Sequence, residues 1–293
     1  MPEAAFPLTM LSFLRGTNAG IGYADCFHLA RKGARLEEAC VEKGKVEWLD
    51  LDLTYPKKVK AAAEGFMEKE SRLDILHSRL QKPYNLTPEG VPDTMMINHF
   101  GVYIFTQTLL PLLKRTAEGP SNDIRIVTLA SDSLALVKGL DVRFRSVEDF
   151  NREFKEASDP DRCRYAVTKL ADALYARALQ RQLDAASAPI LVLSADPGWV
   201  WTPGVSAIPF LQKPAWSPVV ALLRLVAFVD PAEGAHSSVF AAASPAVRKE
   251  ASRWKGRTVF PDKAAGGRLG KSYAPQADDD ALATSCARAR RRS

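Results

Sequence analysis

Tyr165 and Lys169 are the two residues whose types and spacing point most directly to chemistry. They stand in Arg164-Tyr-Ala-Val-Thr-Lys-Leu-Ala-Asp172, and a spacing of four puts phenol and ammonium on one face of a helix. A free phenol titrates at about 10, too high to exchange protons readily at neutral pH. A cation held nearby favours the phenolate and lowers that value. The pair is a candidate general acid/base for carbonyl/alcohol interconversion. Ser131, at the end of a predicted strand upstream, is placed to hold the substrate oxygen by a hydrogen bond. A surface Tyr beside an unrelated Lys has the same spacing, so the elements around the pair must decide.

Near the N-terminus runs Gly16-Thr-Asn-Ala-Gly20-Ile-Gly22, between an apolar segment, Leu8 to Leu14, and an amphipathic one, Tyr23 to Lys32. A strand, a glycine loop and a helix in this order set backbone amides and a helix N-terminus against a phosphate. Strand-like and helix-like segments then alternate, which favours one α/β domain. The predicted strands are Met10–Leu14, Val46–Leu51, Asp74–Leu76, Ile124–Leu129, Ile190–Ser194 and Thr258–Phe260. The predicted helices include Pro56–Ser71, Pro92–Leu113, a short one near Val147–Phe154, Arg164–Leu183, Ser217–Phe228 and Pro231–Ala242. The candidate groups then fall at the C-terminal ends of parallel strands, where open α/β sheets bind ligands.

Six separated pieces resemble, in order and spacing, the short-chain dehydrogenase/reductase family, and within it the retinol-dehydrogenase-like fungal members. They are the glycine loop, Leu49-Asp-Leu-Asp-Leu-Thr54, Met96-Ile-Asn-His-Phe-Gly101, Ile126-Val-Thr-Leu-Ala-Ser131, Tyr165/Lys169 and Asp196-Pro-Gly-Trp-Val-Trp-Thr202. The resemblance spans roughly Leu8 to Gly270. It implies a Rossmann-type doubly wound parallel sheet and hydride transfer between NADP(H), with NAD not excluded, and a carbonyl or alcohol. It implies Tyr165 as proton donor/acceptor, Lys169 as the residue that lowers its pKa and holds the nicotinamide ribose, Ser131 as the substrate-orienting hydroxyl, and Asn98 as the anchor of a water in the proton relay. Gly16, Gly20, Ile21 and Gly22 resemble the dinucleotide loop, Asp52 the adenine contact, and Val200 and Thr202 the carboxamide contacts. The resemblance further implies a homodimer or homotetramer paired through the two long helices, and a setting in fungal secondary metabolism.

The chain also departs from the family pattern. Arg15 replaces the usual Thr before the first glycine. His77-Ser-Arg-Leu-Gln81 stands where the family has Asn-Asn-Ala-Gly. Between Lys32 and Val46 there are too few residues for a second strand, a second helix and their loops, since a complete βαβ unit needs about 30 residues. The second strand is expected to be shortened or missing, with Leu36-Glu-Glu-Ala-Cys-Val-Glu42 a helix remnant and no residue to select NAD or NADP. One alternative lets Val46–Leu51 fill the vacant slot. These departures support a competing function, a catalytically silent dehydrogenase-fold binding or scaffold protein.

Composition fits one large domain, residues 1–270, with 271–293 read as a disordered tail. The formal net charge is +6, and Arg288, Arg290, Arg291 and Arg292 supply four of the positive charges, so no nucleic-acid partner is inferred. The four cysteines show no paired or metal-binding spacing, which suits a reduced cytoplasmic protein, and Cys163 reads as a neutral loop residue. The four histidines form no metal motif, and His99 reads as a packing residue. No secretory signal is evident, and Val219–Val229 is too short to span a membrane, reading instead as a core or lid-adjacent helix. Trp199, Trp201, Phe210 and Trp216 cluster after Pro197-Gly198. The family resemblance implies that this region closes over the substrate, which makes a small apolar or aromatic substrate the expectation, and aromatics covering the sheet end are the alternative reading.

Overall fold

Two long apolar runs lie at the centre of the molecule. Ile124–Leu129 and Ile190–Ala195 are buried at every position, as strands covered on both faces must be. In the computed structural model, which describes residues 11–14, 20–31, 35–37, 46–47, 49, 51–73, 75–78, 85–119, 123–206, 213 and 217–290, they are β5 and β6 of an eight-stranded sheet. The strands are β1 (Leu11–Leu14), β2 (Arg35–Glu37), β3 (Val46–Glu47), β4 (Ile75–Ser78), β5, β6, β7 (Thr258–Asp262) and β8 (Gly266–Leu269). The order is β3-β2-β1-β4-β5-β6-β7-β8, parallel except for the β7–β8 hairpin. The order reverses between β1 and β4, the switch point at which doubly wound sheets bind ligands.

Helices cover both faces. We label α1 (Gly20–Arg31), α2 (Pro56–Lys69), α3 (Gly101–Ala117), α4 (Pro160–Ala185), α5 (Ser217–Val226), α6 (His236–Ala243) and α7 (Asp280–Arg290). Alternation along β5 divides the core. Val127 and Leu129 join Ile21, Leu29 and Phe240 on one face, while Ile124 and Ile126 join Phe66, Leu109 and Tyr175 on the other. Arg125 points to the first face, 1% exposed, where it pairs with Asp123 at 2.6 Å and donates to the carbonyls of Ala241 and Ser244 at 2.9 Å. One residue thus pins β5 to α6.

The second strand is shortened rather than missing. Arg35–Glu37 pairs in parallel with β1, and Val46–Glu47 pairs outside it in the third slot, so Val46 does not fill the second. Leu36 and Glu37 are strand residues, not the remnant of a helix. Residues 38–45 alone join these parallel neighbours, fewer than the dozen or so of a helical crossover.

Three further expectations change. The run from Asp93 to Ala117 is helical throughout but contains a π turn, Met96–Phe100, that holds Asn98. A Cβ on Gly101, at its end, would lie 2.7 Å from Leu53 Cβ, so only glycine fits there. Cys163 lies inside α4, which begins at Pro160 with Asp159 as its cap (Oδ1 to Arg162 N, 3.1 Å), and burial pushes its thiol pKa up. Finally, the expected tail carries α7, whose Ala283, Cys286 and Ala289 are buried against the region of Phe144, Phe150 and α4. Small side chains at every third position make a packing face that a composition reading passes over.

Candidate active site

Chain geometry brings the central pair together as the spacing predicts. Tyr165 is 7% exposed and Lys169 fully buried, and Lys169 Nζ lies 5.9 Å from the centroid of the Tyr165 ring. The ammonium donates to the carbonyl of Leu129, at the end of β5, at 3.0 Å and to Asp172 Oδ2 at 2.9 Å. An ammonium has three protons to donate. Two of them fix Lys169 to the sheet and to its own helix, and the third can serve a ligand.

Ser131 follows β5 and caps the 3-10 turn Asp132–Gly139, which packs on α4. Its hydroxyl accepts from Ser133 N at 3.2 Å and donates to Asp132 Oδ1 at 3.1 Å. To donate to a substrate oxygen, this hydroxyl must turn away from Asp132. Asn98 is 1% exposed in the π turn, and its Nδ2 donates to Thr168 Oγ1 at 3.1 Å, which in turn donates to the carbonyl of Tyr165 at 2.8 Å. Asn98 is therefore tied to the helix that carries the pair, one residue from Lys169. Extra turns of this type recur at functional sites.

The dinucleotide end is assembled in part. Gly16 lies outside the described residues, as do Arg15 and residues 79–84, which hold most of the segment that replaces Asn-Asn-Ala-Gly. Gly20 opens α1 at φ +64, and a Cβ added there would lie 3.5 Å from Thr202 Cγ2. The start of α1 and the segment after the Pro197-Gly198 turn thus approach each other at Gly20 and Thr202. Ile21 is buried in the core and Gly22 half-buried. The first turn of α1 has no acid, which suits a phosphate. Asp52 sits in the turn before α2, its Oδ1 accepting from Thr54 N at 2.9 Å. Val200 is buried and bridges Val229, and Thr202 accepts from Val205 N at 3.4 Å. A switch point, an acid-free helix N-terminus and a positive-φ glycine fit a nicotinamide dinucleotide.

An aromatic cluster follows the Pro197-Gly198 turn. Trp199 is 50% exposed, and Trp201 stacks edge-on against Phe228 at 5.2 Å. Arg224 of α5 lies 5.4 Å over the Trp201 ring. No residue of α5 is buried, which removes the core reading of this helix. Phe210 and Trp216 fall outside the described residues.

Sequence reasoning missed Asp172, Asp132, Arg290 and the role of His99. Asp172 accepts from Lys169 and, on its other oxygen, contacts His99 Nδ1 at 3.0 Å. His99 Nε2 faces Arg290 at 3.2 Å, and burial pushes the His99 pKa down to about 4. The available signal was the i,i+3 step from Lys169 to Asp172, which shares a helix face. Among the described residues no group of three or more His, Cys, Asp or Glu side chains could hold a metal, and no helix is long and apolar enough to cross a membrane.

Comparison with known proteins bears on these arrangements. No family model matches the chain. A short-chain dehydrogenase/reductase of Armillaria gallica is 34% identical over 271 residues, covering 86% of this chain and 83% of that protein. Human retinol dehydrogenase 14 is 30% identical over 280 residues, covering 83% and 76%. Among solved structures, 3-ketoacyl-(acyl-carrier-protein) reductase from Brucella melitensis complexed with NADH superposes with a TM-score of 0.62 at 20% identity, over 89% of this chain and all of that one, and so shares the fold.

Proposed function

Because this chain belongs to the short-chain dehydrogenase/reductase family of NAD(P)-dependent oxidoreductases, we propose that it transfers a hydride between a nicotinamide dinucleotide and the carbonyl or alcohol of a small apolar or aromatic metabolite. The observation that carries this reading is the buried Lys169 ammonium 5.9 Å from the Tyr165 ring at the C-terminal end of β5. A bound dinucleotide supplies or accepts the hydride. Tyr165 exchanges the proton at the substrate oxygen. Lys169 favours the phenolate by its charge and offers its remaining N–H to the nicotinamide ribose. Ser131 leaves Asp132 and holds the substrate oxygen. Asn98, fixed through Thr168, anchors the water through which the proton is replaced. Gly16, Gly20, Ile21 and Gly22 hold the pyrophosphate, Asp52 meets the adenine, and Val200 and Thr202 meet the carboxamide.

Family resemblance favours NADP(H). NAD(H) is the alternative cofactor of the proposal. A homodimer or homotetramer paired through the two long helices is part of the proposal. Helix α7 lies along α4, and the Arg290 guanidinium sits 5.2 Å over the Tyr103 ring of α3 and 4.8 Å over the Tyr175 ring of α4. Cytoplasmic residence and a role in secondary metabolism remain part of the proposal.

The competing reading, a silent binding protein, draws on the truncated β2–β3 edge and on the Ser131 proton directed to Asp132. A titration with NADH and NADPH followed by a carbonyl panel separates the two. Binding and turnover support the enzyme, and absence of binding at millimolar dinucleotide supports the silent protein.

A further inference from the structure

A chain of buried polar contacts leads away from Lys169 to the far end of the sequence. Asp172 is 3% exposed and holds Lys169 Nζ on one oxygen and His99 Nδ1 on the other. His99 is fully buried, and its Nε2 lies 3.2 Å from Arg290, which is 4% exposed. Guanidinium nitrogens only donate, so His99 Nε2 is an acceptor and the ring proton resides on Nδ1. The neutral ring then donates to Asp172. Burial and the neighbouring Arg290 both act to keep it neutral. Arg290 is held in turn by the Cys286 carbonyl at 3.1 Å and by the rings of Tyr103 and Tyr175.

We propose that Asp172, His99 and Arg290 are positioning residues for Lys169, so that the C-terminal helix α7 sets the place of the ammonium beside Tyr165. This inference rests on the proposed oxidoreductase reading and adds residues to its site. Asp172 fixes Lys169 together with the Leu129 carbonyl. His99 fixes the Asp172 carboxylate in that orientation. Arg290 selects the His99 tautomer that can donate. The three residues come from α4, the π turn before α3, and α7, so packing of the last helix enters the geometry of the catalytic pair.

Histidine-ring 15N NMR on the full chain, with His99 assigned by a His99→Gln variant, tests the contact chain without substrate. The expected result is a neutral ring protonated on Nδ1 at pH 6, altered in Arg290→Met. A proton on Nε2 overturns the proposal. Kinetics test the consequence. Misplacement by about 1 Å costs on the order of a hundredfold, so Asp172→Ala is expected to lower kcat by about that factor. Asp172→Glu, which keeps both acceptor oxygens and the charge, is expected to restore about tenfold of that loss, and Arg290→Met to lower kcat about tenfold with substrate KM little changed. Should Asp172→Ala fail to fold, Asp172→Glu and Arg290→Met carry the test. Variants with lowered melting temperature but wild-type kcat would assign these residues to stability alone and overturn the proposal. A wild type inert toward both dinucleotides, yet with the stated tautomer and its loss in Arg290→Met, would refute the oxidoreductase reading while upholding the contact chain.

Discussion

Lys169 and Asp172 form a fully buried ion pair, Nζ to Oδ2 at 2.9 Å, one turn apart on the helix that carries Tyr165. The anion holds the cation in place and also offsets part of its charge. On the proposed reading the site is a balance between the Lys169 charge near Tyr165 and the Asp172 charge that keeps the ammonium in a dry interior.

Breaking that balance has a stability cost. Lys169→Met leaves Asp172 buried with His99 alone, and removal of one partner of a buried pair costs about 3–5 kcal/mol. Urea denaturation should show a loss of that order together with loss of turnover. Unchanged stability would mean that water reaches Asp172.

Acid should weaken the fold through His99. Its folded pKa of about 4 lies below the ordinary imidazole value of 6.5, so the unfolded state binds more protons between those values. The neutral ring's contribution is fully present above pH 6.5 and is lost as pH falls toward 4. A span of about 2.5 units corresponds to roughly 3 kcal/mol at most. Melting temperature measured from pH 7 to 4 should fall, and His99→Gln should flatten that dependence. An equal slope in the variant would assign the effect to other groups.

Ser131 is engaged by Asp132. Asp132→Ala frees its proton for the substrate, and a hydrogen bond worth about 1 kcal/mol predicts a rise in kcat/KM of about fivefold. Steady-state kinetics with the best carbonyl of the panel decide it, and a fall would show that Asp132 instead orients Ser131 productively.

Much of this was legible in the sequence because it rests on local spacing. Tyr165 and Lys169 are one turn apart on any helix, and the apolar runs of β5 and β6 announce central strands. What stayed hidden depends on contacts between distant segments. Arg290 meets His99 across 191 positions, and only the folded chain reveals that Asp172 stands between His99 and Lys169. The three-residue β2 escaped because its strand pairing, rather than any apolar pattern in Arg-Leu-Glu, gives it its place. Helix α7 escaped because alanines and a cysteine make its packing face amid arginines that suggest solvent.

The most direct test measures dinucleotide-dependent carbonyl reduction by the wild type and Tyr165→Phe side by side, with dinucleotide affinity determined for both. Loss of a positioned acid/base predicts a fall in kcat of about 10²- to 10⁴-fold with affinity within about twofold. A Tyr165→Phe protein that turns over as fast as the wild type would contradict the account.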